Sequence, residues 1–181
     1  MTTLSDNDVR ETAVYGLAPG AVARGQNFFV QWLEGRETSY PARSGHEMLL
    51  LLPDDGAQVR VGDGDWQAVP GRSVCVLPAG EATVQLKPNV RAALLASSRP
   101  DLAQDGIANA ADYAAPDPRI VAGDSGYRRM RGNGELQVIA IDAIRPPADK
   151  PRLKMLQTET LSINWVEYQG ARDRSSLSPH S

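Results

Sequence analysis

The sequence predicts an all-β protein built as an antiparallel sandwich or barrel. Short runs of β-favouring residues follow one another from residue 26 to residue 97, and each is bounded by Gly, Pro or Asp. Some of these runs alternate apolar and polar residues with the period of a strand that buries one face. At 181 residues, the chain is long enough for one sizeable core, or for one domain and part of a second.

Each β run in this region is expected to form one strand. In chain order the runs are NFFVQWLEG, HEMLLLLP, AQVRVGD, WQAV, RSVCVLP, ATVQLKP and VRAALLASS. In AQVRVGD, Val59 and Val61 are expected to face the core, because they alternate with the polar residues Gln58 and Arg60.

Two runs are predicted to be the central strands, MLLLL at residues 48–52 and SVCVL after it. MLLLL shows no alternation, so it is expected to be buried on both faces or covered by another element. In SVCVL, Val74 and Val76 are expected to face the core and to alternate with Ser73 and Cys75. Cys75 is the single cysteine and is interpreted as a small core residue.

The chain divides into four predicted segments. Residues 1–25 form an N-terminal segment and residues 26–97 the barrel. Residues 98–133 are rich in Ala, Asp, Gly and Pro and are predicted to be a connector with a short helix in DGIANAADYAA. Residues 134–181 add further strands, GELQVIAIDAIR and QTETLSINWVEYQG, which are also interpreted as the possible start of a second domain.

A short internal repeat supports the idea of a second domain. VQWLE at residues 30–34 recurs as INWVE at residues 163–167, with Trp and Glu identical and the other positions conservative. In this interpretation His180, in the final SPHS, begins the metal motif of a second barrel. The alternative is that residues 134–170 pack on a single barrel and that His180 lies in a disordered tail.

Composition excludes several classes of partner. The chain has 19 Lys and Arg against 22 Asp and Glu, so no broad basic field is expected to hold nucleic acid or an anionic membrane. Its longest apolar run is far shorter than the roughly 20 residues that span a bilayer. The N-terminus MTTLSDNDVRET lacks the pattern of a secretory signal. We expect a cytoplasmic protein with no nucleic-acid or membrane partner.

The stretch PARSGHEMLLLLPDDGAQVRVGDGDWQAVPGRSVCVLPAGEATVQL resembles a cupin, a small jelly-roll barrel with two histidine-containing motifs. The resemblance rests on Glu47 before the apolar strand and on Gly56, which opens a hairpin. It also rests on Gly71, Pro78 and Gly80, which look like the second motif. The resemblance implies a barrel whose mouth holds a metal and a substrate, or an organic ligand or an assembly contact where the metal ligands are lost.

Most of the metal ligands that the resemblance implies are missing. The histidine positions of the two motifs carry other residues: Tyr40 and Ala42 or Pro41 and Arg43 in the first, and Thr83 in the second. Only Glu47 matches a ligand position, and the adjacent His46 would point to the opposite face of a strand. A catalytic transition-metal site needs about three protein ligands, so we expect no metal, no cofactor and no catalytic residue.

The resemblance implies a candidate ligand-binding mouth lined by Tyr40, Arg43, Glu47, Thr83 and Gln85. Arg43 and Glu47 are expected to form an ion pair there. Elsewhere, Arg128, Arg129 and Arg131 offer a clamp for a carboxylate or phosphate, with a solvated loop as the alternative.

Two functions remain open from the sequence. One is a non-catalytic cupin-like domain for small-molecule binding or subunit assembly. It is expected to form a homodimer, because the strands after residue 134 carry apolar faces that need a partner sheet. These strands could add to a neighbour's barrel or, as the alternative, to their own. The other is the N-terminal part of a metal-dependent bicupin enzyme, a dioxygenase or isomerase, whose metal site lies in a second barrel.

Overall fold

The computed structural model describes residues 18–25, 27–35, 39–97, 107–113, 118, 133–168 and 170. The strands are, in chain order, β1 (Val22–Arg24), β2 (Phe28–Glu34), β3 (Tyr40–Ser44), β4 (Met48–Leu52), β5 (Ala57–Val61), β6 (Gln67–Val69), β7 (Ser73–Leu77), β8 (Gly80–Leu86), β9 (Arg91–Ser97), β10 (Gln137–Ala140), β11 (Leu153–Gln157) and β12 (Ser162–Val166). Two short 3-10 helices span Ala110–Tyr113 and Ile141–Ala143. No helix in these ranges is long and apolar enough to cross a membrane.

The strands form two facing antiparallel sheets and a separate hairpin. The larger sheet has the order β1-β2-β9-β4-β7-β10, the smaller has the order β3-β8-β5-β6, and β11 pairs with β12. Strands β2 to β9 therefore have the order of an eight-stranded jelly roll, in which successive strands change sheets except for the β5–β6 hairpin of the smaller sheet. The predicted all-β jelly-roll fold is confirmed.

The predicted central strands are also confirmed. β4 pairs with β9 on one side and with β7 on the other, both antiparallel. The interior between the sheets is filled by alternate side chains, including Met48, Leu50 and Leu52 from β4. Since side chains occupy this interior, the jelly roll is a packed sandwich.

A second apolar cluster lies on the outer face of the larger sheet. Leu49 of β4 is fully buried there, and the β11–β12 hairpin covers it with Leu156, Ile163 and Trp165. The prediction that MLLLL is buried on both faces, or covered by another element, is therefore confirmed. The covering element is the hairpin.

The expected orientation of β7 is wrong. Cys75 and Leu77 face the interior between the sheets, whereas Val74 and Val76 belong to the outer cluster under the hairpin. Every residue of β7 is buried. Val74 and Val76 are apolar because the hairpin covers them on the outer face, and not because they face the interior between the sheets.

The structure adds strands that the sequence pattern did not reveal. β3 has the sequence YPARS, and its proline and arginine are more typical of a turn than of a strand. β3 is an edge strand of the smaller sheet, where proline is tolerated because one side of the strand has no ladder hydrogen bonds. β1 also joins the larger sheet from outside residues 26–97, whereas β10, which lies in the predicted run GELQVIAIDAIR, pairs with β7 at the other edge of this sheet.

Part of the connector is described. The 3-10 helix Ala110–Tyr113 lies within the segment that was expected to be helical. Just before it, the Asn109 amide bonds both backbone groups of Arg24, with Arg24 N to Oδ1 at 2.8 Å and Nδ2 to Arg24 O at 2.9 Å. The connector is therefore attached to β1, while residues 98–106 and 119–132 lie outside the described residues.

The hairpins β1–β2 and β11–β12 have the same register. When Val30 is aligned with Ile163, each residue pair of the first hairpin falls on a residue pair of the second: Val22–Gln31 on Met155–Asn164, Ala23–Val30 on Leu156–Ile163, and Arg24–Phe29 on Gln157–Ser162. The turns match as well, since Gly25 N donates to Phe28 O at 2.8 Å and Thr158 N to Leu161 O at 2.9 Å. The sequence repeat therefore extends to strand pairing and turn geometry.

Burial on both faces of β4 is testable with neighbouring leucines. Leu49 faces the hairpin and Leu50 faces the interior, and both are fully buried. Leu49→Ala and Leu50→Ala are each expected to lower the free energy of unfolding by about 2–5 kcal/mol. Urea unfolding measures both. A loss below about 1 kcal/mol for Leu49→Ala alone would show that the hairpin does not cover this face in solution.

Candidate functional site

Glu47, the one residue that matches a ligand position in the resemblance to cupins, is buried against the turn of the β11–β12 hairpin. Its Oε1 accepts hydrogen bonds from the Thr160 backbone N at 2.8 Å and the Thr160 hydroxyl at 3.2 Å. The Thr158 hydroxyl also donates to it. A buried carboxylate needs such donors to offset the loss of hydration. Glu47 thus serves as the acceptor that docks the hairpin turn.

The surroundings of Glu47 form a small pocket of about 150 Å³. Its lining includes His46, Glu135 and Glu159 as well as Glu47. Among the described residues, no group of three or more His, Cys, Asp or Glu side chains is arranged to hold a metal ion. The arrangement suits a polar docking contact at the edge of the outer apolar cluster.

The five candidate mouth residues do not converge on one site. Tyr40 is buried in the interior, where its hydroxyl donates to Glu34 O. Arg43, Thr83 and Gln85 alternate with buried residues of β3 and β8, so they lie on the outer face of the smaller sheet. Glu47 lies on the other side of the sandwich, under the hairpin.

The expected ion pair between Arg43 and Glu47 is therefore wrong. Arg43 Nε instead lies 3.9 Å from Glu81 Oε1, and both side chains are exposed. An ion pair of this kind at the surface contributes little to stability, because both charges remain hydrated. The Arg43 side chain is therefore exposed on the outer face of the smaller sheet.

Two concavities lie on the smaller sheet. One, of about 670 Å³, is lined by residues that include Gln58, Gln85 and Lys87. The other, of about 400 Å³, brings the predicted residues Arg43 and Thr83 together with Arg60. The sequence pattern predicted only that the Arg60 side chain faces away from the core, and it did not predict a role for Arg60 in a site.

A cluster of four charged residues anchors the open end of the hairpin. Arg72 binds Asp142 through two bonds, Nε to Oδ2 at 2.9 Å and Nη2 to Oδ1 at 2.7 Å, and reaches Glu167 Oε1 at 2.8 Å. Lys154 Nζ lies 3.3 Å from Asp142 Oδ1 and 3.2 Å from Glu167 Oε1. The cluster ties the turn before β7 to the second 3-10 helix and to both hairpin strands.

The backbone of Arg72 adopts a left-handed conformation, with φ of 52°. This conformation is unfavourable for a residue with a side chain. The ion pairs of its guanidinium and the hydrogen bond from Ile141 N to Arg72 O, at 2.8 Å, hold it in place.

The charge cluster shifts the acidities of its carboxyl groups. Hydrogen bonds from Arg72, and then from Lys154, hold the pKa of Asp142 well below its usual value. The same two partners, in the same order, lower the pKa of Glu167. The pKa of Cys75, which lies outside this cluster, is shifted upward instead, because burial raises the pKa of its thiol to about 12. Its thiol is therefore protonated at neutral pH, as expected of a core residue.

Sequence reasoning missed Thr158 and Thr160 as partners of Glu47. The segment TET, at residues 158–160 between two strands, predicts only a turn. Nothing in the local pattern identifies a carboxylate more than a hundred residues earlier as its acceptor. His180 and the arginines at positions 128, 129 and 131 lie outside the described residues.

No protein-family model and no curated protein matches this chain. Among solved structures, the protein NMB1881 from Neisseria meningitidis is similar, with 11% identity and a TM-score of 0.38 over 54% of this chain and 100% of that one. A cupin-2 domain containing protein from Shewanella frigidimarina is similar with 9% identity and a TM-score of 0.35, over 49% of this chain and 91% of that one. At these TM-scores the fold assignment rests on the strand order itself.

The role of Glu47 in docking the hairpin predicts a loss of stability on its removal. Glu47→Ala leaves the donors of Thr158 and Thr160 without their acceptor, so we expect the free energy of unfolding to fall by about 1–3 kcal/mol. Glu47→Gln keeps an acceptor oxygen and should cost less. Urea unfolding of the two variants tests this. Equal stability of Glu47→Ala and the parent chain would contradict the docking role.

The charge cluster predicts a loss of stability in acid. Because the pKa values of Asp142 and Glu167 are lower in the folded than in the unfolded chain, their contribution is complete above the ordinary carboxyl values of 3.8 and 4.5. It is lost as pH falls below those values. We therefore expect the difference in urea midpoint between the parent chain and Asp142→Asn to shrink as pH falls below about 4.

Two controls sharpen the acid experiment. Asp149→Asn removes an exposed aspartate outside the cluster and should leave the urea midpoint nearly unchanged at neutral pH. Added salt should also reduce the Asp142→Asn difference, since the pairs are partly exposed. A difference that is independent of both pH and salt would show that Asp142 acts through packing rather than charge.

Proposed function

We propose that this chain is a non-catalytic jelly-roll domain whose work is subunit assembly, and that β12 of one copy pairs with β12 of a second copy. The single observation that carries the proposal is the repeated hairpin. β12 matches β2 in register and turn. One edge of β2 pairs with β9, but the equivalent edge of β12 has no partner strand among the described residues.

The free edge of β12 follows from its hydrogen-bond phase. Thr158 N donates to Leu161 O, and Glu167 N donates to Arg152 O at 3.2 Å, so alternate residues between them bond to β11. The intervening positions, Ser162, Asn164 and Val166, direct their backbone groups away from β11. In β2 the equivalent positions are those that face β9, where Gln31 lies opposite Leu94.

β12 also lacks the features that protect sheet edges. In natural proteins, edge strands are protected from pairing with other chains because they are short or contain proline or charged residues. Among the edge strands that the structure describes, β1 and β6 have three residues each, β10 has four, β3 contains a proline and an arginine, and β11 contains a lysine. β12 reads SINWV, with five residues, no charge and no proline.

The hairpin exposes apolar side chains beside this edge. Met155, Val166 and Tyr168 are 47%, 38% and 55% exposed, and they make up half of the large apolar residues that are exposed among the described residues. A concentration of this kind marks an interaction surface more often than a solvated one. Antiparallel pairing of β12 with a second β12 would extend the hairpin to four strands and bring Val166 beside the side chains of the added strand.

The proposed interface is self-complementary. Two identical strands that pair antiparallel about a two-fold axis form a closed contact, so association stops at the dimer. The main-chain bonds of an added strand supply affinity, and the side chains beside it supply specificity. The contact lies on the hairpin, away from the concavities of the smaller sheet.

A second candidate is the N-terminal part of a metal-dependent bicupin enzyme, a dioxygenase or isomerase. The repeated register favours it, because β11–β12 has the geometry of the hairpin that opens the first jelly roll. In this candidate a strand of the second barrel, equivalent to β9, occupies the edge of β12. Both candidates use the same edge, and they differ in which chain supplies the strand.

A proline at the centre of the edge tests the assembly proposal. Asn164→Pro removes a backbone donor that faces away from β11, so it should weaken the dimer by at least about tenfold while the jelly roll stays folded. Asn164→Ala keeps the donor and is the matched control that should remain dimeric. Light scattering gives the mass of each variant, and circular dichroism reports the fold.

The outcomes of this experiment separate the candidates. A parent chain that stays monomeric at high concentration contradicts the dimer, as does a dimer that Asn164→Pro does not weaken. Hydrogen exchange at the Asn164 amide adds the second test. A monomer in which this amide is protected would favour the candidate in which another part of the same protein supplies the strand.

A further inference from the structure

We propose that the outer face of the smaller sheet binds a small organic carboxylate through the guanidinium of Arg60. This site is separate from the assembly edge, because it lies on the opposite outer face of the sandwich. Arg60 in β5 lies directly across from Thr83 in β8, and both line the concavity of about 400 Å³. Arg43 lines the same concavity from β3.

The guanidinium of Arg60 is held in position but is not saturated. Its Cζ lies 5.1 Å from the centroid of the Trp66 ring, which supports one side of the guanidinium plane. Its Nε is buried and has no hydrogen-bond partner among the described residues. A buried donor without a partner is costly, and a shift of the side chain that brings Nε to a ligand oxygen would remove that cost.

The charges around Arg60 favour a monoanion over a dianion. Arg43 lies near Glu81, at 3.9 Å, and Asp63 also lines the concavity, so the two arginines and the two carboxylates carry no net charge. A single guanidinium presents a planar fork that matches one carboxylate. A dianionic phosphate would meet repulsion from Glu81 and Asp63.

The rest of the concavity suits the organic body of such a ligand. Pro41, Ala42 and Ala82 contribute to its lining, and Thr83 supplies a hydroxyl. Ligand sites commonly combine an apolar lining with a few polar groups that fix orientation. The volume exceeds what a bare carboxylate would fill, so we assign the site to a carboxylate with an organic substituent.

Arg24 provides an internal comparison. Its Cζ lies 5.5 Å from the centroid of the Phe29 ring, so it has a similar aromatic contact. Its Nε, however, donates to Gly25 O at 3.4 Å. Both arginines therefore contact an aromatic ring, but only Arg60 has a buried Nε without a partner among the described residues.

The test is a titration of the full chain followed by the indole N–H signal of Trp66 in two-dimensional NMR. The probes are sodium benzoate, sodium acetate and inorganic phosphate at constant ionic strength. We expect a saturable shift with benzoate in the low millimolar range, weaker binding of acetate and the weakest binding of phosphate. Arg60→Gln should weaken benzoate binding by at least about tenfold.

Two further variants control for folding and for charge. Arg60→Lys keeps the charge but loses the planar fork, so it should bind benzoate more weakly than the parent chain. Arg24→Gln should bind as the parent chain does. No saturable shift with benzoate, or equal binding by Arg60→Gln, would overturn the proposal. Tighter binding of phosphate than of benzoate would overturn the assignment to a carboxylate.

Discussion

Strand β4 is apolar on both faces, and each apolar face of a sheet has to be covered by another layer. The smaller sheet covers the face of Met48, Leu50 and Leu52. The opposite face, with Leu49, would be exposed at the outside of the jelly roll without the β11–β12 hairpin. The position of the hairpin, and with it the location of every polar site near it, follows from this requirement.

Polar contacts determine how the hairpin lies on that apolar face. Apolar packing is not directional, so it does not by itself select one orientation of the hairpin. Glu47 binds the turn of the hairpin, and the cluster around Arg72 binds its open end. The two anchors lie at opposite ends of the hairpin and define its register on the sheet. Glu47 thus has a structural role, because it fixes the turn of the hairpin on the sheet.

The filled interior moves the candidate sites to the outer surfaces of the sandwich. Tyr40 and the apolar residues of both sheets fill the interior between the sheets. The remaining options are the open edge and apolar surface of the hairpin on one side, and the concavities of the smaller sheet on the other. Assembly and small-molecule binding can therefore occur in the same molecule without competing for a surface.

The all-β class, the central strands and the internal repeat could be predicted from the amino-acid sequence. Turn residues and alternation are local signals, so β4, β7 and the other strands from residue 26 to residue 97 were recognisable, apart from the edge strand β3. Two glycines that the sequence analysis singled out have a structural reason as well, since a Cβ at Gly56 would collide with the backbone oxygen of Val69 and a Cβ at Gly71 with that of Asp54.

Only the tertiary structure decided which face of each strand is covered and by what. Periodicity shows which residues share a face, but it does not show which layer lies against that face, so the orientation of Val74 and Val76 was predicted wrongly. The partners of Glu47 and the surroundings of Arg60 depend on contacts between residues far apart in the chain. Such contacts leave no local pattern, because either partner alone is compatible with many neighbours.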